Sequence, residues 1–260
     1  MTAAATDHVL VEVEAGVMTI TLARPDKKNA LSNAMYGVLA DSLERAETDP
    51  AIRVVVFQGD GDSFSSGNDL KDFTAQAAGT FTEERHVWRF LKTLARATRP
   101  LVAAVHGQAV GVGTTMLLHC DLVFTSPDAR LTVPFVNLAL APEAASSLLL
   151  PARIGHARAY AMFALGEVVD GATAAAWGIA NACVPLEDLR AKARAAADQL
   201  AKRPVGALAI TKTLMRDAEA ISTLMDREGE LFGQRLQTAE AREAFMAFAE
   251  RRAPDFSKVG

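Results

Sequence analysis

The chain has 260 residues, half of them apolar and 22% charged, and its 27 Lys and Arg against 31 Asp and Glu leave a net charge of −4. That composition belongs to a globular protein able to bury a large core, and its mild acidity offers no general attraction to phosphate backbones or anionic membranes. With no apolar run near the roughly 18 residues of a membrane span, no signal-peptide pattern over residues 1–8 and only two cysteines, Cys120 and Cys183, the expectation is a cytosolic protein without a disulfide framework or a metal centre.

Residues 9–13 alternate apolar and polar side chains, Ala15-Gly16 supplies a turn, and residues 17–22 resume the alternation, which predicts a β-hairpin with one buried face. Ser32 is placed to cap a helix in which Met35, Val38, Leu39, Leu43 and Ala46 recur at helical spacing. The helix stops near Asp49-Pro50, and the apolar run 52–57 predicts a strand covered on both faces. Residues 59–69, rich in Gly, Asp and Ser, read as a loop. A second round follows: a helix over 82–98, a buried strand over 101–105, a glycine-bearing turn over 107–113, a short helix over 114–119 and a strand over 122–125. Strands alternating with helices predict a layered α/β fold. Beyond Pro142 the strand signals largely disappear and helices are predicted over 144–154, 157–165, 172–176, 186–202, 205–218, 221–234 and 239–251. The final helices carry Met225, Leu231, Phe232, Phe245, Met246 and Phe248, which have to pack on the body or on another subunit.

Three segments are candidates for chemistry. Gly107-x3-Gly111-x-Gly113 follows a strand and precedes a helix, so small residues there admit a ligand to the backbone and free N–H groups face it. Its spacing matches neither the Walker nor the dinucleotide fingerprint. Ser66-Gly67-Asn68-Asp69 has the same character, although both segments also read as ordinary tight turns. Glu143 follows Pro142 among apolar residues on both sides and is expected in the first turn of the next helix. Acidic residues are common at that position as dipole partners; in an apolar pocket the same carboxylate becomes a stronger base. His8, His86, His106, His119 and His156 show no metal-ligand or triad spacing and read as structural.

The stretches Arg24-Pro-Asp-Lys-Lys-Asn-Ala-Leu31, Phe64-Ser-Ser-Gly-Asn-Asp-Leu70, Arg99-Pro-Leu-Val-Ala-Ala-Val-His-Gly107, Ala109-Val-Gly-Val-Gly113, Cys120-Asp-Leu-Val-Phe124 and Ala244-Phe-Met-Ala-Phe-Ala-Glu-Arg-Arg252 occur in the order and spacing of one family. Over nearly its whole length the chain resembles the enoyl-CoA hydratase/isomerase (crotonase) superfamily. The resemblance implies an α/β spiral of ββα turns over residues 1–200, which holds the acyl-CoA site. It also implies a C-terminal helical oligomerisation region over residues 201–260, in a homotrimer or a dimer of trimers. The implied ligand is an acyl-CoA thioester, with coenzyme A part of the substrate and no separate cofactor.

Carried over by position, the backbone N–H groups of Asn68 and Val112 form an oxyanion hole for the thioester oxygen, although Val112 stands where many relatives have glycine and its bulk narrows the turn. Lys28, Ala30, Asp69 and Leu70 fall where the family holds the CoA adenine and pantetheine. Lys258, from a neighbouring tail, is a candidate for the CoA phosphates. The two positions that carry glutamates in the hydratases are Thr115 and Phe135 here, and the acids of the dienoyl-CoA isomerase pattern are missing too. Residues 134–147 and Ser66–Leu70 instead resemble the Δ3,Δ2-enoyl-CoA isomerase branch, in which the glutamate matching Glu143 is the single base. This implies a role in fatty-acid β-oxidation or breakdown of another acid. Two other readings stay open: a hydratase or other acyl-CoA enzyme using a different acid, and a homologue that binds acyl-CoA without turnover. Phe73, Phe81, Trp88 and Phe135 are candidates to shape the acyl pocket.

Overall fold

The computed structural model describes residues 6–69, 71–72, 81 and 83–259; Leu70, Phe73, residues 74–80 and the side chain of Lys258 lie outside the described residues. Strands β1 (Val9–Glu14) and β2 (Val17–Leu22) pair antiparallel with Val9 opposite Leu22 and Glu14 opposite Val17. The reversal between them is made by Ala15 and Gly16, both at positive φ, the turn whose twist matches a hairpin. Strand β3 (Val54–Gly59) lies two residues beyond the predicted run because residues 52 and 53 still belong to the turn that leaves helix α1 (Asn33–Thr48). Ser32 caps that helix as expected, its hydroxyl accepting from the Met35 N–H at 3.4 Å.

Strands β4 (Leu101–Val105) and β6 (Leu122–Thr125) have the predicted bounds. Between them the glycine-bearing segment contains a short strand, β5 (Gln108–Val110). Strands β7 (Arg130–Thr132), β8 (Val169–Asp170) and β9 (Ala182–Cys183) have only two or three residues, too few to show a period in the sequence. Among the described residues the strands form a six-stranded sheet, in the order β1-β2-β3-β4-β6-β9, and a three-stranded sheet, β5-β7-β8. In the larger sheet every pairing after the hairpin is parallel.

Both faces of the large sheet are covered, which is why β3 and β4 read as continuous apolar runs. Val55, Phe57, Ala103 and Val105 face α1 and helix α2 (His86–Arg96). Their alternates Val54, Val56, Val102 and Ala104 pack with Leu189, Ala193, Ala197 and Ala201 of a later helix, Leu186–Ala201. The alanines recur every fourth residue, so one smooth face of that helix lies close on the sheet.

In chain order the remaining helices are α3 (Val112–Thr115), α4 (Ser146–Ile154), α5 (His156–Tyr160), α6 (Gly171–Trp177), α7 (Leu186–Ala201), α8 (Val205–Met215), α9 (Ala218–Leu236) and α10 (Ala239–Ala249). The predicted helix over 114–119 starts two residues earlier, as α3, and continues as a 3-10 turn over Met116–His119. Helix α9 packs against α2. Helix α8 buries none of its residues in the chain and presents Ile210, Leu214 and Met215 to the outside. Among the described residues no helix is long and apolar enough to cross a membrane.

Candidate active site

Two backbone segments are brought side by side by isolated bridges. Leu31 pairs with Asn68 in parallel, its N–H bonding the Gly67 carbonyl at 2.8 Å and its carbonyl accepting from Asp69 at 2.9 Å. In a parallel bridge the central residue turns its own N–H away from the partner, so the Asn68 N–H is left to the other side. Ser65 pairs in turn with Ala109 of β5, through 2.9 Å bonds to Gln108 and Val110. The chain then turns at Gly111 (φ 55°, ψ −118°) into α3, whose first residue is Val112. The first N–H groups of a helix have no partner within it, so Val112 also presents a donor. Glycines allow the close approach: a Cβ on Gly67 would stand 2.8 Å from the Val110 carbonyl oxygen, and one on Gly113 2.8 Å from that of Ser65. The Asn68 side chain is fixed by Tyr36, whose hydroxyl donates to Oδ1 at 2.5 Å.

Glu143 does not sit in the first turn of the next helix. Ala144 and Ala145 follow it in left-handed conformation, at φ 60° and 54°, and α4 begins only at Ser146. The dipole-partner reading therefore fails, and the side chain is buried, with 6% of the residue exposed. Its Oε1 accepts a 2.5 Å hydrogen bond from the Thr115 hydroxyl. Burial pushes the carboxyl up to about 7, the Thr115 bond opposes this and the nearby Glu228 charge adds to it. Such a group holds or releases a proton near neutrality, the condition for general acid–base work. Thr115→Val removes the one bond that favours the ionised form. The Glu143 titration, followed by ¹³C NMR of labelled carboxyls, is expected to move further up, and an unchanged titration would contradict the assignment.

His119, read as structural, is buried beneath this loop. Its Nε2 lies 2.8 Å from the Ala144 carbonyl, and the Arg216 guanidinium donates to Nδ1. Burial, then the charge of Arg216, pushes its pKa down to about 3, so the ring is neutral and donates through Nε2.

Glu143, Asn68, Asp69 and Tyr36 line a cavity of about 350 Å³ whose apolar wall includes Leu31, Trp88, Leu91, Met225 and Phe232. Val112, Lys28 and Ala30 stand outside this lining. Lys28 is in left-handed conformation with its carbonyl on the Ser66 N–H, and the Ala30 carbonyl accepts from Arg24 at 3.1 Å. Asp69 pairs with Arg24 at 2.5 Å. Partial burial disfavours its charge, but the Arg24 bond, the Lys71 N–H and the guanidinium charge outweigh it and hold the carboxyl below its usual value. Of the aromatic candidates, Trp88 lines the cavity. Phe135 instead packs on Phe163 at 6.2 Å between ring centroids and is absent from the lining, as is Phe81. The sequence reading missed Tyr36 and the whole wall contributed by α9. The signal that could have found that wall is Gly229 and Gly233, four apart on one helix face: a Cβ on Gly229 would meet the Trp88 ring at 2.6 Å, while Gly233 faces open space.

A layered α/β body that sets the Asn68 turn and the buried Glu143 carboxylate on the lining of an apolar cavity fits the crotonase-type, acyl-CoA-processing enzymes. Residues 12–259 match the family model of enoyl-CoA hydratase/isomerase, and the chain belongs to that family. It is 33% identical to the 1,2-epoxyphenylacetyl-CoA isomerase of Escherichia coli K12, over 96% of this chain and 98% of that protein. To enoyl-CoA delta isomerase 2 of Rattus norvegicus it is 34% identical, over 94% of this chain and 64% of the longer rat protein. The crystal structure of an enoyl-CoA hydratase/isomerase from Pseudoalteromonas atlantica superposes with a TM-score of 0.91 at 39% identity, covering 96% of this chain and all of that one. Relatives named as hydratases occur as well.

Proposed function

We propose that the protein is a Δ3,Δ2-enoyl-CoA isomerase, moving the double bond of a 3-enoyl-CoA to the 2-trans position. The observation that carries this reading is the acid inventory of the cavity. Glu143 is buried and poised near neutrality, whereas the positions of the hydratase glutamates hold Thr115, which donates to Glu143, and Phe135, which packs on Phe163. Of the other acids in the lining, Asp69 is held by Arg24, Asp72 accepts from the Asn33 N–H, Asp226 pairs with Lys92, and Glu230 is exposed.

In this reading Glu143 takes the C2 proton while the thioester oxygen gains dienolate charge. The N–H groups of Asn68 and Val112 bind that oxygen, each donor contributing about 3–4 kcal/mol in comparable sites. Glu143, now neutral, returns the proton to C4, leaving the conjugated 2-enoyl thioester and the original carboxylate. The apolar wall keeps water from the dienolate. Main-chain groups of Lys28, Ala30 and Asp69 are assigned to the CoA moiety, and the exposed face of α8 to contact with further copies of the chain.

The test is to follow the ultraviolet absorbance of the conjugated thioester with 3-hexenoyl-CoA and, separately, with 2-trans-hexenoyl-CoA. A rise with the first and a stable signal with the second is expected. No rise, with steady loss of the 2-enoyl signal, would replace the reading with a hydratase; silence on both would favour another acyl-CoA or a binding protein.

A further inference from the structure

Consecutive left-handed residues other than glycine are costly and persist only where their surroundings fix them. Ala144 and Ala145 are such a pair, immediately after Glu143, and their polar groups are held from two directions. The Ala144 carbonyl faces Nε2 of buried His119 at 2.8 Å. The Ala145 N–H donates to Glu228 Oε2 at 2.6 Å, and the Ser147 N–H to Glu228 Oε1 at 3.1 Å; the Ser147 hydroxyl also donates to Oε1. Glu228 lies in α9, is 5% exposed and thus brings a carboxylate into the interior with donors on both of its oxygens. His119 is linked to the same C-terminal region through Arg216, just past the end of α8.

A buried carboxylate costs heavily unless its hydrogen-bonding capacity is met. Here it is met by the backbone of the loop that carries Glu143, and by the open end of α4, where Ala145 offers no capping side chain of its own. We infer that Glu228 is a positioning residue: it acts through the Ala145 and Ser147 N–H groups to fix the backbone that aims the Glu143 carboxylate into the cavity. Its catalytic consequence rests on the proposed role of Glu143 as the proton-transferring base, but the geometric claim stands on the clamp itself. The ionisable group acting on Glu143 is Glu228; across the cavity the Tyr36 hydroxyl is itself pushed up, by burial first and then by the charges of Glu143 and Asp72.

The test compares Glu228→Gln with the unaltered enzyme in kinetics and in the ¹³C titration of Glu143. Glutamine keeps one acceptor but turns an amide donor toward an N–H and removes the charge. The expected result is a kcat about 10- to 100-fold lower, since small misplacements of a reacting group cost this much, with KM within about threefold and the Glu143 titration moved down as a neighbouring negative charge is lost. A folded Glu228→Gln protein with kcat within about twofold of the original and an unmoved titration would overturn the inference. If that variant does not fold, Ser147→Ala, which removes the hydroxyl bond and keeps both backbone bonds, is expected to lower kcat about two- to fivefold at unchanged KM; unchanged kcat there would overturn it. A titration that moves in a protein without isomerase activity would leave the clamp standing and remove the proposed reaction, whereas Glu143-dependent isomerisation indifferent to Glu228 would do the reverse.

Discussion

Glu143→Gln is expected to lower kcat by about 10³- to 10⁴-fold while making the protein more stable above neutral pH. The first effect follows from removing the only proton acceptor of the proposed cycle. The second follows from linkage. Burial raises the folded-state carboxyl to about 7, against an ordinary value of 4.5. A group raised in this way contributes stability that is fully present below about 4.5 and is lost as pH rises through 7. At pH 8 the native state therefore carries an ionised buried carboxylate at a cost of about 3 kcal/mol. Glutamine keeps the oxygen that accepts from Thr115 and has no charge to desolvate. Thermal melts should show a gain in Tm of several degrees at pH 8 that shrinks toward zero at pH 5. A loss of Tm at pH 8, or kcat within tenfold of the original, would contradict the assignment of Glu143 as a buried, charge-bearing base.

Gly67→Ala should produce the second large effect, with the chemistry impaired more than the fold. Gly67 has φ 92°, and its added Cβ would press to 2.8 Å against the Val110 carbonyl oxygen. Neither side of that contact is a flexible side chain: one is the segment that carries the Asn68 N–H, the other leads into Gly111 and Val112. The two segments must separate, and with them the donors proposed for the thioester oxygen. Loss of about one donor predicts a 10²- to 10³-fold fall in kcat, together with about 1–3 kcal/mol of stability from strain at positive φ. Gly111→Ala is the comparison: its φ of 55° is unfavourable for alanine, but the Cβ meets nothing within 4 Å. If Gly67→Ala retained kcat within threefold, the proximity of the two turns would have no catalytic meaning.

Local sequence carried the parts of the fold that local chemistry determines. The hairpin, the Ser32 cap and the buried runs at β4 and β6 lie where periodicity places them, because each advertises itself within four to sixteen residues. The strands β7, β8 and β9 are fixed by their neighbours and leave no pattern of their own. Glu143 was found as a residue but misplaced as an element: Pro142 and the following alanines read as a helix start, and alanine gives no sign that it will be left-handed. The glycines marked the turns at Asn68 and Val112 as places where a ligand could reach the backbone, and the donor role of those two residues came only from the resemblance. Tyr36, His119 and Glu228 were not, since each reaches the site from a distant segment and each, taken alone, is an ordinary residue of an amphipathic helix or a buried turn.

The clamp on Ala145 spans 83 positions in the chain. During synthesis at about 5–20 residues per second, the loop bearing Glu143 is made about 4 to 17 s before Glu228 is added. Through that interval the nascent protein can complete its six-stranded sheet, since every described strand precedes residue 184, while the cavity still lacks the wall that α9 supplies. A chain cut short before residue 228 thus has all of the described strands but lacks the carboxylate that holds the Ala145 and Ser147 N–H groups beside Glu143.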